Sequence, residues 1–306
     1  MVDCRVQLGS DSFMLSLENP IMTASGTFGY GLEFTNYGDI GSLGAIVLKG
    51  ISLRPRVGNP MPRIAEVEGG LLNAVGLQNY GVEYLISHIL PQLQHTRATV
   101  IANLYANSVH EFAELARLLS EEPAIHALEL NVSCPNVREG GVLFGQNKAM
   151  LADVVSHVTR VSKKHVSVKL TPNVTDIVEM ARIAEDNGAN SLTCINTLQG
   201  MAVDIYSKKP KLANIYGGLS GPCIKPIALQ CVHRVAQAVS IPVIGVGGIC
   251  SAQDVLEFIL VGAHAVQIGT ATFMNPTFPF QLVDELTTLC KELGIERIEE
   301  FRNTLL

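Results

Sequence analysis

The chain has 306 residues, 47% of them hydrophobic and 16% charged, which is the composition of a folded globular enzyme and excludes a disordered or fibrous chain. A net charge of -6 at pH 7 argues against a general affinity for nucleic acid or anionic membrane, though a small anion needs only local positive charge. The seven cysteines (Cys4, Cys134, Cys194, Cys223, Cys231, Cys250 and Cys290) are odd in number and include no C-x-x-C pair. They therefore read as reduced thiols of a cytoplasmic protein, without a disulfide framework and without an all-Cys metal or iron–sulfur site.

Met1 to Asn19 is interrupted by Asp3, Arg5, Asp11 and Glu18, so no signal-peptide core is expected. No apolar run is long enough for a transmembrane helix. Short runs rich in β-branched residues then recur. They predict strands over Pro20–Ala24, Ala45–Lys49, Thr99–Asn103, Ala127–Asn131, Val166–Leu170, Ser191–Ile195, Pro242–Val246 and Ala265–Gly269. Most are continuously apolar, as expected for strands covered on both faces. Helix signals lie between them. Ser108 with Glu111 reads as a capping box ahead of Phe112, Leu115, Ala116 and Leu119 at helical spacing. Thr175–Glu185 reads as an amphipathic helix stopped by Gly188, and Ser251 with Asp254 as another helix start.

Eight alternating strand and helix units imply right-handed parallel connections and a (β/α)₈ TIM barrel, with an open doubly wound sheet as the rival. No composition break divides the chain, so residues 1–306 read as a single barrel domain. Three connections, Gly50–Asn79, Val132–Asn147 and Asn196–Pro222, are too long for simple turns. Each follows a strand, so each is expected on the carboxyl face, where barrel active sites lie.

The residues at the strand ends are Ser25, Lys49, Asn103, Asn131, Lys169, Asn196, Gly247 and Gly269. A single polar strand end is ordinary, but a set converging on one barrel mouth is a ligand-site signal. Gly245-Val-Gly-Gly-Ile-Cys250 after the seventh strand and Gly269-Thr270 after the eighth suggest a phosphate cradle made of backbone N–H groups. Cys250 stands where a dinucleotide fingerprint needs its third Gly, so no Rossmann site is expected. Cys134 lies in the loop Asn131-Val-Ser-Cys-Pro-Asn136, beyond a strand end, and is the thiol best placed to act as a base or nucleophile.

These residues resemble the dihydroorotate dehydrogenase family. The resemblance runs from about Asn19 to Pro276 and includes Asn19-Pro-Ile-Met-Thr-Ala-Ser-Gly-Thr-Phe28, Leu48-Lys-Gly50, Asn73-Ala-Val-Gly-Leu77, the Cys134 loop, Val168-Lys-Leu170, Ile195-Asn-Thr197 and Gly217-Gly-Leu-Ser-Gly221. It implies FMN, with its phosphate on Gly221, Gly247, Gly248, Gly269 and Thr270. Ser25, Lys49, Gly50, Asn103, Asn131, Lys169 and Ile195 would hold the rest of the cofactor. It implies substrate contacts from Lys49, Asn73, Ala74, Val75, Gly76, Leu77, Asn131, Asn196 and Thr197, and Cys134 as the catalytic base.

The Cys base and the stretch Cys134-Pro-Asn-Val-Arg-Glu-Gly-Gly141 resemble the NAD-linked class 1B catalytic subunit, with the fumarate-linked class 1A homodimer as the alternative. Class 1B implies a partner subunit carrying FAD and a [2Fe–2S] cluster. It also implies a heterotetramer built around a catalytic-chain dimer.

Overall fold

The computed structural model of the chain describes residues 2–9, 13–132 and 144–306. Two short antiparallel strands come first, β1 (Val6–Leu8) and β2 (Leu15–Leu17). Barrel strands β3 (Ile21–Thr23) and β4 (Ile46–Val47) follow. The chain then makes an excursion that carries β5 (Ile64–Val67) and β6 (Gly70–Asn73). It returns to the barrel in β7 (Val100–Leu104), β8 (Ala127–Asn131), β9 (His165–Leu170) and β10 (Ser191–Cys194). A second excursion holds β11 (Leu198–Met201), β12 (Val203–Asp204), β13 (Lys209–Pro210) and β14 (Tyr216–Ser220). Strands β15 (Val243–Val246) and β16 (Ala265–Ile268) complete the set.

Eight strands form one parallel sheet in the order β3-β16-β15-β10-β9-β8-β7-β4. Its two edges meet through a parallel bridge between Met22 and Ala45, where Thr23 N donates to Ala45 O at 3.1 Å and Gly44 N donates to Ile21 O at 2.8 Å. The sheet is thus a closed barrel, and the open-sheet rival falls away. The eight strands lie where the apolar runs predict them. Strands β7 and β9 are buried along their whole length, the polar side chains of Asn103, Ser167 and Lys169 included, as expected of strands covered on both faces.

The helix starts follow their caps. Ser108 Oγ accepts from Glu111 N at 3.2 Å and opens the helix Val109–Ser120. The Glu111 carboxylate reaches back to Asn107 N at 2.8 Å, one residue before the cap itself. Ser251 does the same for the helix Ala252–Leu260, accepting from Asp254 N at 3.1 Å. The predicted Thr175 helix begins slightly later, at Ile177–Asp186, because Asp176 is its cap and accepts from Val178 N at 3.1 Å. Gly188, at φ +94°, follows its end. These helices cover the barrel in one core that includes Phe112, Leu128, Val154, Val168, Val232 and Phe258. Among the described residues, no helix is long and apolar enough to cross a membrane.

The two excursions pair with each other in a four-stranded antiparallel sheet of order β11-β14-β6-β5. Leu72, Ala74 and Leu212 give it a small core of its own. No residue pattern in the long connections predicts this sheet.

Candidate active site

The carboxyl ends of the barrel strands and the excursion sheet enclose a cavity of about 210 Å³. After β3 its wall is Ser25, and after β4 it is Lys49 and Gly50. Strands β8 and β9 contribute Asn131 and Lys169, and the exit of β10 contributes Ile195, Asn196 and Thr197. The far end is Gly247 and Gly248 after β15, with Gly269 and Thr270 after β16. The excursions close the side with Asn73, Val75, Gly76, Leu77 and Gly221. Residues from seven of the eight barrel strands and the segments that follow them therefore meet in one place. The sequence reading passes over Thr27, Ser220, Ile224 and Phe273, which also line the cavity. Their types are too ordinary to stand out along the chain.

Two of the predicted residues that the structure describes are not on the wall. Ala74 is buried with Leu72 and Leu212 in the excursion core, so its side chain faces away from the cavity. Asn103 lies behind the wall, fully buried, with Nδ2 donating to Glu129 Oε1 at 2.7 Å. Its Oδ1 has no hydrogen-bond partner among the described residues. That atom faces Gly50, where an added Cβ would come within 2.9 Å of it. Cys134 lies outside the described residues.

The glycine end is built from backbone. Gly247 and Gly248 take φ +140° and +78°, and Gly221 takes +108°, all in the region that favours glycine. A Cβ on Gly248 would sit 2.8 Å from Lys225 Cβ and 2.9 Å from Gly221 O. Among the described residues, no acceptor takes the backbone N–H of Gly247, Gly248, Gly269 or Thr270. Thr270 Oγ1 donates to Ser220 Oγ at 2.8 Å and ties this end to the excursion sheet. The nearby ammonium of Lys225 is held by Asp254 Oδ1 at 2.5 Å and Glu257 Oε2 at 2.8 Å. Two carboxylates thus neutralise that cation, which leaves bare N–H groups as the means of holding an anion here.

Lys49 lines the cavity just after β4. Burial holds its ammonium below the usual lysine range, and the positive charge of Arg63 lowers it further. A partly dry cation of this kind suits a small carboxylate.

Beneath the cavity floor lies a polar layer that crosses the barrel. Glu129 is 1% exposed and accepts from Asn103 Nδ2, from Thr193 Oγ1 at 2.9 Å and from Gln267 Nε2 at 2.6 Å. Lys169 Nζ donates to Gln267 Oε1 at 3.1 Å and stands 3.8 Å from Glu129 Oε1. The sequence reading passes over Glu129. The available signal is a single carboxylate within the apolar run Ala127–Asn131, two residues from Asn131 and so on the same face of the strand. Among the described residues, no group of His, Cys, Asp and Glu side chains could hold a metal ion.

A family model described as dihydroorotate dehydrogenase matches residues 7–290. The chain is 61% identical over 292 residues to a protein of Solidesulfovibrio magneticus, with 95% of each chain covered. It is 54% identical to one of Maridesulfovibrio salexigens, covering 95% of this chain and 96% of the relative. A relative from Geobacillus sp. is 51% identical over 286 residues, covering 94% and 91%. All three are named "Dihydroorotate dehydrogenase B (NAD(+)), catalytic subunit".

Proposed function

Since the chain belongs to the dihydroorotate dehydrogenase family, we propose that it is the catalytic subunit of an NAD-linked enzyme oxidising (S)-dihydroorotate to orotate in pyrimidine biosynthesis. The observation that supports this most directly is the cavity itself, whose lining combines a backbone anion cradle with a partly dry lysine.

The residues fit FMN. Gly221, Gly247, Gly248, Gly269 and Thr270 would hold its phosphate through N–H groups that no described residue occupies. Ser25, Lys49, Gly50, Asn131, Lys169 and Ile195 would hold the rest from the wall, with Asn103 behind Gly50 offering an unpaired buried acceptor. Bound there, FMN would supply the hydride acceptor.

Lys49 would bind the substrate carboxylate. Asn73, Asn131, Asn196 and Thr197 would read the polar edges of the pyrimidine with amide and hydroxyl groups. Val75, Gly76 and Leu77 would press on its face, and Ala74 would contribute backbone alone. Cys134 would remove the proton from the substrate carbon. Lys169 would offset negative charge that develops beside it.

Electrons would leave through a second subunit bearing FAD and a [2Fe–2S] cluster, in a four-chain assembly around a dimer of this chain. The names of the relatives favour NAD over fumarate as the acceptor.

The test is purification of the chain with and without its native partners. The reading expects one FMN per chain, bleached anaerobically by dihydroorotate, and NAD reduction only when the partner is present. A colourless protein would reject FMN, and efficient fumarate turnover by this chain alone would reject the NAD-linked class.

A further inference from the structure

We infer that Glu129 is a positioning residue whose charge, passed to Lys169 directly and through Gln267, sets how strongly the site favours reduced flavin. The inference rests on the reading of the cavity as an FMN site.

Glu129 occupies the middle of β8, in register with Asn103 on β7 and Ser167 on β9. Its donors come from three other strands: Asn103 from β7, Thr193 from β10 and Gln267 from β16. A carboxylate reached from strands on both sides of the barrel lies inside it, under the cavity. Gln267 is oriented at both ends, its Nε2 on Glu129 and its Oε1 on Lys169 Nζ. Turning that amide over would set donor against donor at Lys169. The carboxylate therefore fixes the amide, and the amide helps to fix the lysine.

Lys169 is 6% exposed and reaches the cavity wall. A buried ammonium needs a counter-charge. Glu129 supplies it at 3.8 Å, a separation held by the intervening amide and not by direct ion-pair contact. A purely architectural role could be filled by any acceptor of the right shape. The charge adds something else, because in a low-dielectric interior it acts on whatever lies above Lys169. It partly cancels the cation, so added electrons beside Lys169 are stabilised less than they would be by a bare ammonium.

The test is the midpoint potential of FMN bound to the whole chain. It is measured for the wild type, Glu129→Gln, Lys169→Met and the double variant. Glu129→Gln keeps the shape and removes the charge. It is expected to shift the reduction equilibrium roughly tenfold toward reduced flavin, ~30 mV for a two-electron couple. Lys169→Met is expected to shift it the other way. The double variant, with both charges gone, is expected to return close to the wild type.

An unchanged potential in Glu129→Gln, with FMN retained, would overturn the inference. Should that variant fail to fold, the neutral double variant still decides. A potential above that of Lys169→Met supports the role of the Glu129 charge, and an equal one overturns it. A wild-type chain that binds no FMN would instead overturn the reading of the cavity.

Discussion

His264 Nδ1 accepts a hydrogen bond from the backbone N–H of Val243 at 3.3 Å, and the backbone N–H of His264 donates to Val243 O at 2.8 Å. His126 makes the same pair of bonds with Val100, at 3.0 and 2.8 Å. Asn190 repeats them with Val166, both at 2.8 Å. Three side chains thus close strand starts at the amino-terminal end of the barrel, away from the candidate site.

A ring that accepts at Nδ1 cannot take a proton there without losing the bond. Burial is the main reason that both rings resist protonation. Arg302 adds to it at His264, which is lowered to about 3, and Lys164 adds to it at His126. Burial lowers His165 as well. The unfolded rings titrate at about 6.5. Below that pH the unfolded chain binds protons that the folded chain refuses, so stability falls as the solution is acidified. His264 and His165 each contribute up to about 1.4 kcal/mol per pH unit between their unfolded and folded values, and the exposed His126, screened by solvent, contributes less. Urea midpoints measured from pH 7.5 to 5 are expected to decline. His264→Asn, which keeps an acceptor as Asn190 does, is expected to flatten the decline. A slope identical to that of the wild type would reject the assignment.

Lys49 predicts a pH effect of the opposite sense. Its ammonium is held below the usual range by burial and by Arg63. Affinity for orotate, an anion, is expected to fall as pH rises, starting before an ordinary lysine would titrate. Arg63→Gln removes one cause and is expected to move the fall to higher pH. Lys49→Met is expected to weaken orotate binding by roughly 10- to 100-fold, the worth of a hydrogen bond to a charged group. Equilibrium dialysis across pH checks all three, and a flat profile for the wild type would count against Lys49 as the carboxylate site.

The glycine cradle separates two kinds of damage. Gly248→Ala places a Cβ against Lys225 and Gly221 in a conformation that L residues rarely adopt. A loss of about 1–3 kcal/mol of stability is expected, together with loss of FMN. Gly269→Ala puts its Cβ no nearer than 3.6 Å to Ala24 Cβ, so the fold should tolerate it. Any loss of FMN from that variant would report crowding of the ligand. Melting temperature and flavin content, measured on both, distinguish the two outcomes.

Cys134→Ser tests the base. Flavin reduction by dihydroorotate is expected to slow by roughly 10²- to 10⁴-fold, the usual contribution of a positioned base. FMN content should be unchanged. Stopped-flow rates equal to those of the wild type at every pH would remove Cys134 from the mechanism.

Much of this protein is legible along the chain. The barrel strands can be read because each is a short apolar run bounded by caps and glycines, and a strand buried on both faces needs little else. The helix starts can be read because a cap is a local bond between residues three apart, as at Ser108 and Ser251. The strand-end residues and the glycine cradle follow once the runs are counted, since a barrel collects its strand ends at one mouth.

The excursion sheet is different. It pairs Asn73 with Gly218, and β14 begins Tyr216-Gly-Gly, a composition poor in strand propensity. That pairing is held by contacts between segments that local pattern cannot relate. The burial of the Ala74 side chain is illegible for the same reason, because it depends on Leu212 in the other excursion. Glu129 is the clearest case. The run Ala127–Asn131 is enough to put a carboxylate inside an apolar strand. Only closure of the barrel decided that Asn103, Thr193 and Gln267 would bring it three donors, with Lys169 held beside them. A local bond is written in adjacent residues, whereas a buried charge is settled by whichever strands the fold carries to it.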